Sequence, residues 1–211
     1  MRFLLAMHSL RLALLALLFA APTAEAQVRP APSNVAARLR SDGNNWEALQ
    51  ILKQAWGPHA PSELDAVADT LVAIAVTMAS RVHSDPADVR ARKLQAASSA
   101  VETLRLAGIG PGAARYIGSP PRLLRIAESG AWTAPAALLA LTSQPDTNQT
   151  LRFLRQISMQ DTYAAPTAVF LLAADMGVEG IDTLRGLYRA GLVVHPLARR
   201  QLDAIAAQNR W

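Results

Sequence analysis

The sequence predicts an all-α protein made of stacked helix pairs. Three observations lead to this class. Ala and Leu dominate the chain, no segment alternates apolar and polar residues over a strand's length, and one short pattern recurs in the second half. Leu192-Val193-Val194 is the only candidate for a strand, and it is too short. An irregular helical bundle is the alternative to a stack.

The first 26 residues have the pattern of a cleaved signal peptide. Arg2 and Arg11 give a positive start, Leu12 to Ala21 is apolar, and Ala24-Glu25-Ala26 fits the small-x-small cleavage pattern. We expect cleavage after Ala26, because the apolar run is short for a bilayer span of about 20 residues. An uncleaved membrane anchor is the competing interpretation. The protein is therefore expected to be exported, to the periplasm or the extracellular space.

We expect the chain to consist of three segments, the first of which is this leader. Residues 1–26 are the signal peptide, residues 27–33 a flexible lead-in, and residues 34–211 a single all-α helical-repeat domain. Pro30 and Pro32 oppose helix formation in the lead-in. No segment after the leader is long and apolar enough to span a membrane. Whether residues 34–60 form a full repeat stays open, as does the oligomeric state.

Composition limits the chemistry. The chain has no cysteine, so an exported form is stabilised by packing alone and has neither thiol chemistry nor thiolate metal sites. The formal net charge of +5 becomes +4 when Arg2, Arg11 and Glu25 are removed with the leader. This modest excess permits contact with acidic partners without requiring it.

The first half predicts three helices. One covers Asn45 to Trp56, a second runs from Ser62 to about Val82, and a third begins at Asp85-Pro86 and ends at Gly108. Asp85 is expected to cap the third helix, and Pro86 suits its first position. The large aromatic residues Trp46, Trp56 and Trp132 are expected in the core or at repeat junctions, and Trp211 against its neighbouring helix.

The second half contains an internal repeat, Pro-x-Ala-x-x-x-Leu/Ile. It begins at Pro111, Pro135, Pro166 and Pro196, with gaps of 24, 31 and 30 residues. In each copy Pro is expected to start a helix, Ala to allow close helix approach, and Leu or Ile to lie on the same face one turn later. A second helix follows in three units, at residues 123–126, 151–154 and 184–187.

Helix pairs repeated every 30 to 33 residues cannot bury both faces alone and therefore stack. In this the chain resembles the HEAT-repeat family over roughly residues 61–210. Asp85-Pro86-x-x-Val89-Arg90 resembles the opening of a HEAT second helix. The resemblance implies a right-handed α-solenoid of about four to five short HEAT-like helix pairs. It also implies a non-catalytic scaffold that binds an envelope protein or peptide and needs no cofactor.

Arginines recur in the second helices and are the candidate partner-binding residues. In a stacked solenoid, equivalent positions line up on one face, which can bind an acidic partner. Simple solvation of polar helix faces is the competing interpretation. The set is Arg122, Arg125, Arg152, Arg155, Arg185 and Arg189.

A helix-hairpin-helix element is the second functional hypothesis. The string from Leu106 to Ile117 resembles this family, whose Gly-x-Gly turn points backbone N–H groups at a nucleic-acid phosphate. The resemblance assigns phosphate binding to Gly108, Ile109, Gly110, Gly112 and Arg115. An ordinary helix stop followed by a helix start explains the same string.

A third hypothesis concerns Glu128. The string Glu128-Ser129-Gly130 with Trp132 nearby resembles the catalytic stretch of lytic transglycosylases, where the glutamate would be the general acid of peptidoglycan cleavage. The downstream stretch of that family is missing, and a surface glutamate near a helix end is the simpler interpretation.

His59, His83 and His195 are expected in solvated turns, with no metal site.

Overall fold

The computed structural model describes residues 31–42, 45–53, 59–80, 85–110 and 115–211. These ranges contain ten α-helices and no strand, which confirms the all-α class. The predicted signal peptide and its cleavage site lie outside the described residues. In chain order, the helices are α1 (Pro32–Asp42), α2 (Asn45–Leu52), α3 (Pro61–Ser80), α4 (Ala87–Gly108), α5 (Ser119–Glu128), α6 (Ala134–Thr142), α7 (Thr147–Ser158), α8 (Ala165–Ala174), α9 (Gly177–Ala190) and α10 (Pro196–Asn209).

The helices are arranged in two rows. Helices α1, α3, α5 and α7 pack successively in one row, and α2, α4, α6, α8 and α10 do so in the other. Neighbours in the chain pack across the two rows, with α9 against α8 and α10. In the described part of the chain, every extensive contact joins helices one or two places apart. This connectivity is that of a stack of helix pairs; its right-handed solenoid form stays a prediction.

The internal repeat corresponds to equivalent buried positions. In α6, α8 and α10 the repeat proline lies in the first helical turn. The small residue two positions later and the leucine six positions later are fully buried in all three helices. These residues are Ala137, Ala168 and Ala198, followed by Leu141, Leu172 and Leu202.

The described part of the first repeat copy is not helical, although the sequence predicts a helix there. Residues 115–118 are turn and bend, and Ile117 is 78% exposed. Residues 111–114, which include Pro111, lie outside the described residues. The N–H of Tyr116 donates to the carbonyl of Ala107 at the end of α4, which holds residue 116 against that helix just before α5 begins.

Two local expectations are wrong. Helix α1 begins at Pro32, inside the predicted lead-in of residues 27–33, because proline is well tolerated in the first helical turn. Asp85 does not cap α4; Pro86 is the N-cap residue, and the Asp85 carboxylate instead accepts from Lys93 Nζ at 2.8 Å.

The expectation of buried tryptophans is also wrong for two of the four. Trp46 and Trp132 are each more than half exposed, while Trp56 lies outside the described residues. Trp211 does pack against a neighbouring helix, with its ring centroid 6.0 Å from that of Tyr188 in α9. Alanine and leucine, rather than aromatic rings, therefore fill most of the core.

No helix within the described ranges has both the length and the apolar character needed to cross a membrane.

Helix α9 approaches α8 closely at one glycine. A Cβ atom at Gly180 would lie 2.0 Å from the backbone carbonyl oxygen of Leu172, near the end of α8. Gly186 lies on the same helix with no heavy atom within 4 Å of its Cβ position. The two glycines therefore differ in packing while sharing one helical backbone.

We predict opposite effects of alanine at these two positions. Gly180→Ala forces the two helices apart and should lower the free energy of unfolding by about 1–3 kcal/mol. Gly186→Ala should raise it by up to about 1 kcal/mol, because alanine is the better helix former. Urea unfolding monitored by circular dichroism measures both; equal effects would contradict the close approach at Gly180.

Candidate binding surface

Four large apolar side chains lie exposed at matching positions of α6 and α8. Trp132 and Leu139 are seven residues apart, as are Tyr163 and Phe170, and each is more than half exposed. Leu139 and Phe170 lie within the two helices, and Trp132 and Tyr163 lie in the turns just before them. Each aromatic residue at the start lies three positions before its repeat proline, and each later residue four positions after it. We call these four residues, with Leu197 of α10, the apolar patch.

The patch is exposed because the buried face of each helix is already complete. In α6 the residues facing the core are Ala137, Leu138 and Leu141, and the equivalent residues of α8 are likewise buried. Neither helix contains a charged residue, although each has a face in water. A surface helix normally places charged or polar residues on that face.

Helix α10 is the next helix of the row, and it carries a charged residue where α6 and α8 carry an apolar one. Leu197 is exposed, and Arg200 occupies the repeat position of Leu139 and Phe170. The neighbouring Arg199 is held by Asp203, with Nε 3.1 Å from Oδ1. Arg200 is exposed and has no ion pair within the described residues. The apolar patch therefore ends at a cation.

A hollow of about 350 Å³ opens beside Leu139, between α4 and α6. Its wall includes Glu102 and Arg105, which form two hydrogen bonds of 2.7 Å with each other. The hydrogen bond from Arg105 lowers the pKa of the Glu102 carboxyl below its ordinary value. Ser98 and Ser143 also line the hollow, so its wall is partly polar.

Two of the six predicted partner-binding arginines have a role inside the fold. Arg122 Nη2 lies 2.8 Å from Asp65 Oδ1, and its Nε lies 3.3 Å from Asp69 Oδ1. The same guanidinium donates to the carbonyl of Gly118. Arg125 Nη1 lies 2.8 Å from Asp69 Oδ1. These contacts join α5 to α3, and the Arg122 side chain is only 13% exposed.

The other four arginines lie further along the chain. Arg152, Arg155 and Arg189 are exposed. Arg185 is engaged: its Nη1 lies 3.0 Å from Asp182 Oδ1, and its guanidinium lies over the ring of Trp211. Binding of a partner by the arginine set stays a prediction.

The predicted phosphate-binding turn has a packing function at Gly108. A Cβ atom there would lie 2.0 Å from Gln144 Oε1. Gln144 Nε2 donates to the carbonyls of Arg105 and Ala140, which joins the end of α4 to α6. Gly110 has φ 135°, a conformation that favours glycine. The absence of a side chain at both positions therefore has a structural reason.

The rest of this turn borders a cleft of about 220 Å³. Arg115 lines the cleft together with Asp146, whose carboxylate caps α7 by accepting from the N–H of Gln149. An anion entering the cleft would meet this carboxylate as well as the arginine. Ile109 is half-buried at the end of α4, and Gly112 lies outside the described residues. Phosphate binding stays a prediction.

Glu128 connects α5 to the α7 region. Its Oε1 accepts from Gln156 Nε2 at 2.5 Å and from Gln160 Nε2 at 3.4 Å. Neither of the two cavities described above is lined by Glu128. The catalytic interpretation thus gains no support from this geometry.

Two of the three histidines named in the sequence analysis lie within the described residues. His59 Nδ1 lies 3.7 Å from Glu63 Oε2, His195 precedes α10, and His83 lies outside the described residues. In the part of the chain that the structure describes, no three His, Cys, Asp or Glu side chains are grouped as metal ligands.

Sequence reasoning missed the apolar patch, although a signal for it exists. Residues 129–145 and 162–174 each lack any charged residue. The matching of Trp132 with Tyr163, and of Leu139 with Phe170, follows from aligning the repeat prolines.

Tyr116 closes the network around Arg122. Its hydroxyl donates to Asp65 Oδ1 at 2.5 Å, and the guanidinium of Arg122 lies 5.4 Å from the centre of its ring. Burial, and then the hydrogen bond to Asp65, raise the pKa of the Tyr116 hydroxyl well above its ordinary value of about 10.

We predict that Arg122→Ala destabilises the protein far more than Arg125→Ala. Removing Arg122 takes one donor each from Asp65, Asp69 and the carbonyl of Gly118, a loss of about 1–3 kcal/mol. Tyr116 and Arg125 still contact the two carboxylates. Removing Arg125 breaks one exposed ion pair, worth less than about 1 kcal/mol. Chemical unfolding of the two variants provides the comparison, and losses of similar size would argue against Arg122 as the main link between α5 and α3.

We also predict a pH dependence that Tyr116 causes. The folded state holds the hydroxyl proton more tightly than the unfolded chain does. The stability from this group is therefore complete below a pH of about 10 and is lost as the pH rises beyond it. Unfolding free energies measured from pH 9 to 11 should fall less steeply in Tyr116→Phe than in the wild type. Tyr163→Phe, at an exposed tyrosine, is the control and should keep the wild-type slope.

Comparison with known proteins finds no matching family model, no similar curated protein and no similar solved structure. The resemblance to HEAT repeats therefore depends on the repeat pattern in this chain alone.

Proposed function

We propose that this protein is an exported, non-catalytic helical-repeat scaffold that binds a peptide or protein segment. The observation that carries the proposal is the apolar patch, in which large side chains are exposed at equivalent positions of successive helices. Exposed contiguous apolar surface on a folded protein commonly marks an interaction site. Repeat proteins in particular bind partners along surfaces made of equivalent positions.

The energetics favour a partner of moderate size. Covering the exposed part of each large side chain contributes roughly 1 kcal/mol, hence about 4 kcal/mol for Trp132, Leu139, Tyr163 and Phe170 together. Association costs several kcal/mol in lost freedom of motion, at least as much as this gain. Contacts beside the patch must therefore add to it, and the hollow next to Leu139 and the cation at Arg200 are placed to supply them.

The arginine set is a second surface for the same function. Arg152, Arg155 and Arg189 are exposed, so they are free of the internal role of Arg122 and Arg125. An acidic partner would bind there, whereas an apolar partner would bind the patch. The two surfaces belong to different helices and can be tested separately.

We predict that random dodecapeptides selected for binding to the purified full chain depend on the patch. Leu139→Glu combined with Phe170→Glu should abolish their binding, because two charges would be buried beneath the peptide. Both side chains are exposed, so the free energy of unfolding should change by less than about 0.5 kcal/mol. Fluorescence anisotropy of the labelled peptides measures binding, and chemical unfolding checks the fold.

Arg152→Glu combined with Arg155→Glu, at two exposed arginines of α7, is the matched control. Peptides that lose binding only in this control would transfer the function to the arginine surface. Failure to select any peptide that depends on either surface would contradict the proposed scaffold function.

A further inference from the structure

We infer, building on the proposed function, that the apolar patch binds an extended, polyproline-type segment with a carboxylate at one end. Apolar side chains three residues apart would lie on Leu139 and Phe170. An acidic side chain three residues further would meet Arg200. The inference specifies the chemistry, conformation and spacing of the partner, which the proposed function leaves open.

The spacing of the helices selects the conformation. Helices α6, α8 and α10 pack side by side, and packed helix axes lie about 8–10 Å apart. Leu139, Phe170 and Arg200 occupy the same repeat position on these three helices. A polyproline II helix returns to the same face every third residue, after about 9.3 Å. A β-strand turns its side chains to alternate faces, so residues three apart would point in opposite directions.

The chemistry of the patch suits such a segment. Trp132, Tyr163 and Phe170 present aromatic side chains within one exposed surface. Polyproline-type ligands commonly dock in aromatic-lined grooves, since their conformation is already extended and loses little entropy on binding. The aromatic side chains of the patch are rigid and large, which suits them to this contact.

Charge complementarity fixes the end of the segment. Helices α6 and α8 have no charged residue, and α10 presents Arg200 without an ion pair among the described residues. Its neighbour Arg199 is bound to Asp203. A single carboxylate of the partner is therefore favoured at α10, next to Arg200. Helices α6 and α8 carry no charge that would attract or repel it.

The hollow beside Leu139 favours a partner with side chains over a lipid surface. It lies between α4 and α6 and is bordered by the Glu102–Arg105 ion pair and two serines. A peptide side chain can enter a concave site of this kind. A bilayer surface would leave it unfilled and would place the ion pair against apolar chains, which is unfavourable.

The experiment extends the peptide selection. Sequences enriched on the wild-type chain are aligned for two apolar residues and an acidic residue at intervals of three. We expect this pattern, and we expect Arg200→Glu to weaken the best peptide about tenfold, because one attraction becomes a repulsion. A matching peptide with Lys in place of the acidic residue should bind Arg200→Glu more tightly than the wild type. Arg90→Glu, at an exposed arginine on α4 outside both proposed surfaces, is the control and should bind like the wild type.

Each other outcome overturns the inference in a recognisable way. Enriched peptides that need Leu139 and Phe170 but show neither the spacing of three nor sensitivity to Arg200→Glu would refute it and leave the scaffold function standing. Patch-dependent binding to vesicles of phosphatidylcholine and phosphatidylglycerol, with no peptide selected, would show a membrane surface instead. Absence of any patch-dependent ligand would remove both this inference and the patch as a binding surface.

Discussion

The stacking of α6, α8 and α10 depends on one small, fully buried residue at the same repeat position of each helix. Ala137, Ala168 and Ala198 are fully buried at the same repeat position, and each is followed by a buried leucine one turn later. Because alanine adds only a methyl group, neighbouring helices can approach until their leucines interlock. Gly180 extends the same constraint to the contact between α8 and α9. Larger residues at these points would separate the rows.

The shortness of the helices makes the protein depend even more on close packing between them. Helices α6 and α8 have 9 and 10 residues, and isolated helices of this length are marginal in water. Their stability therefore comes from packing on both sides, within the row and across it. Polar contacts complete the arrangement where packing alone does not fix the orientation. Arg122 does so between α5 and α3, and Gln144 does so between α4 and α6.

The filling of the core by small and aliphatic residues also explains how a surface becomes available for binding. Alanine and leucine satisfy the core, so the aromatic residues Trp132, Tyr163 and Phe170 are not needed there. Phe170 lies instead on the exposed face of α8, and Trp132 and Tyr163 lie exposed in the turns before α6 and α8, two helices that contain no charge. The arginines show the reverse: Arg122 could be read from the sequence as a binding residue, yet it is one of the least exposed of its type and links two helices. Residue type by itself therefore does not place Trp132 or Arg122.

The sequence by itself determined the all-α class, the extents of α3 and α4 to within a few residues, and the buried Ala and Leu positions of the repeat. These follow from local propensity and helical periodicity, which any segment carries within itself. Only the tertiary structure decided that residues 115–118 form a turn, that Asp65 and Asp69 hold Arg122, and that the tryptophans at 46 and 132 face outward. Those outcomes depend on which face of each helix is covered by its neighbours. The contacts that decide this join residues far apart in the sequence, such as Asp65 and Arg122, which are 57 positions apart.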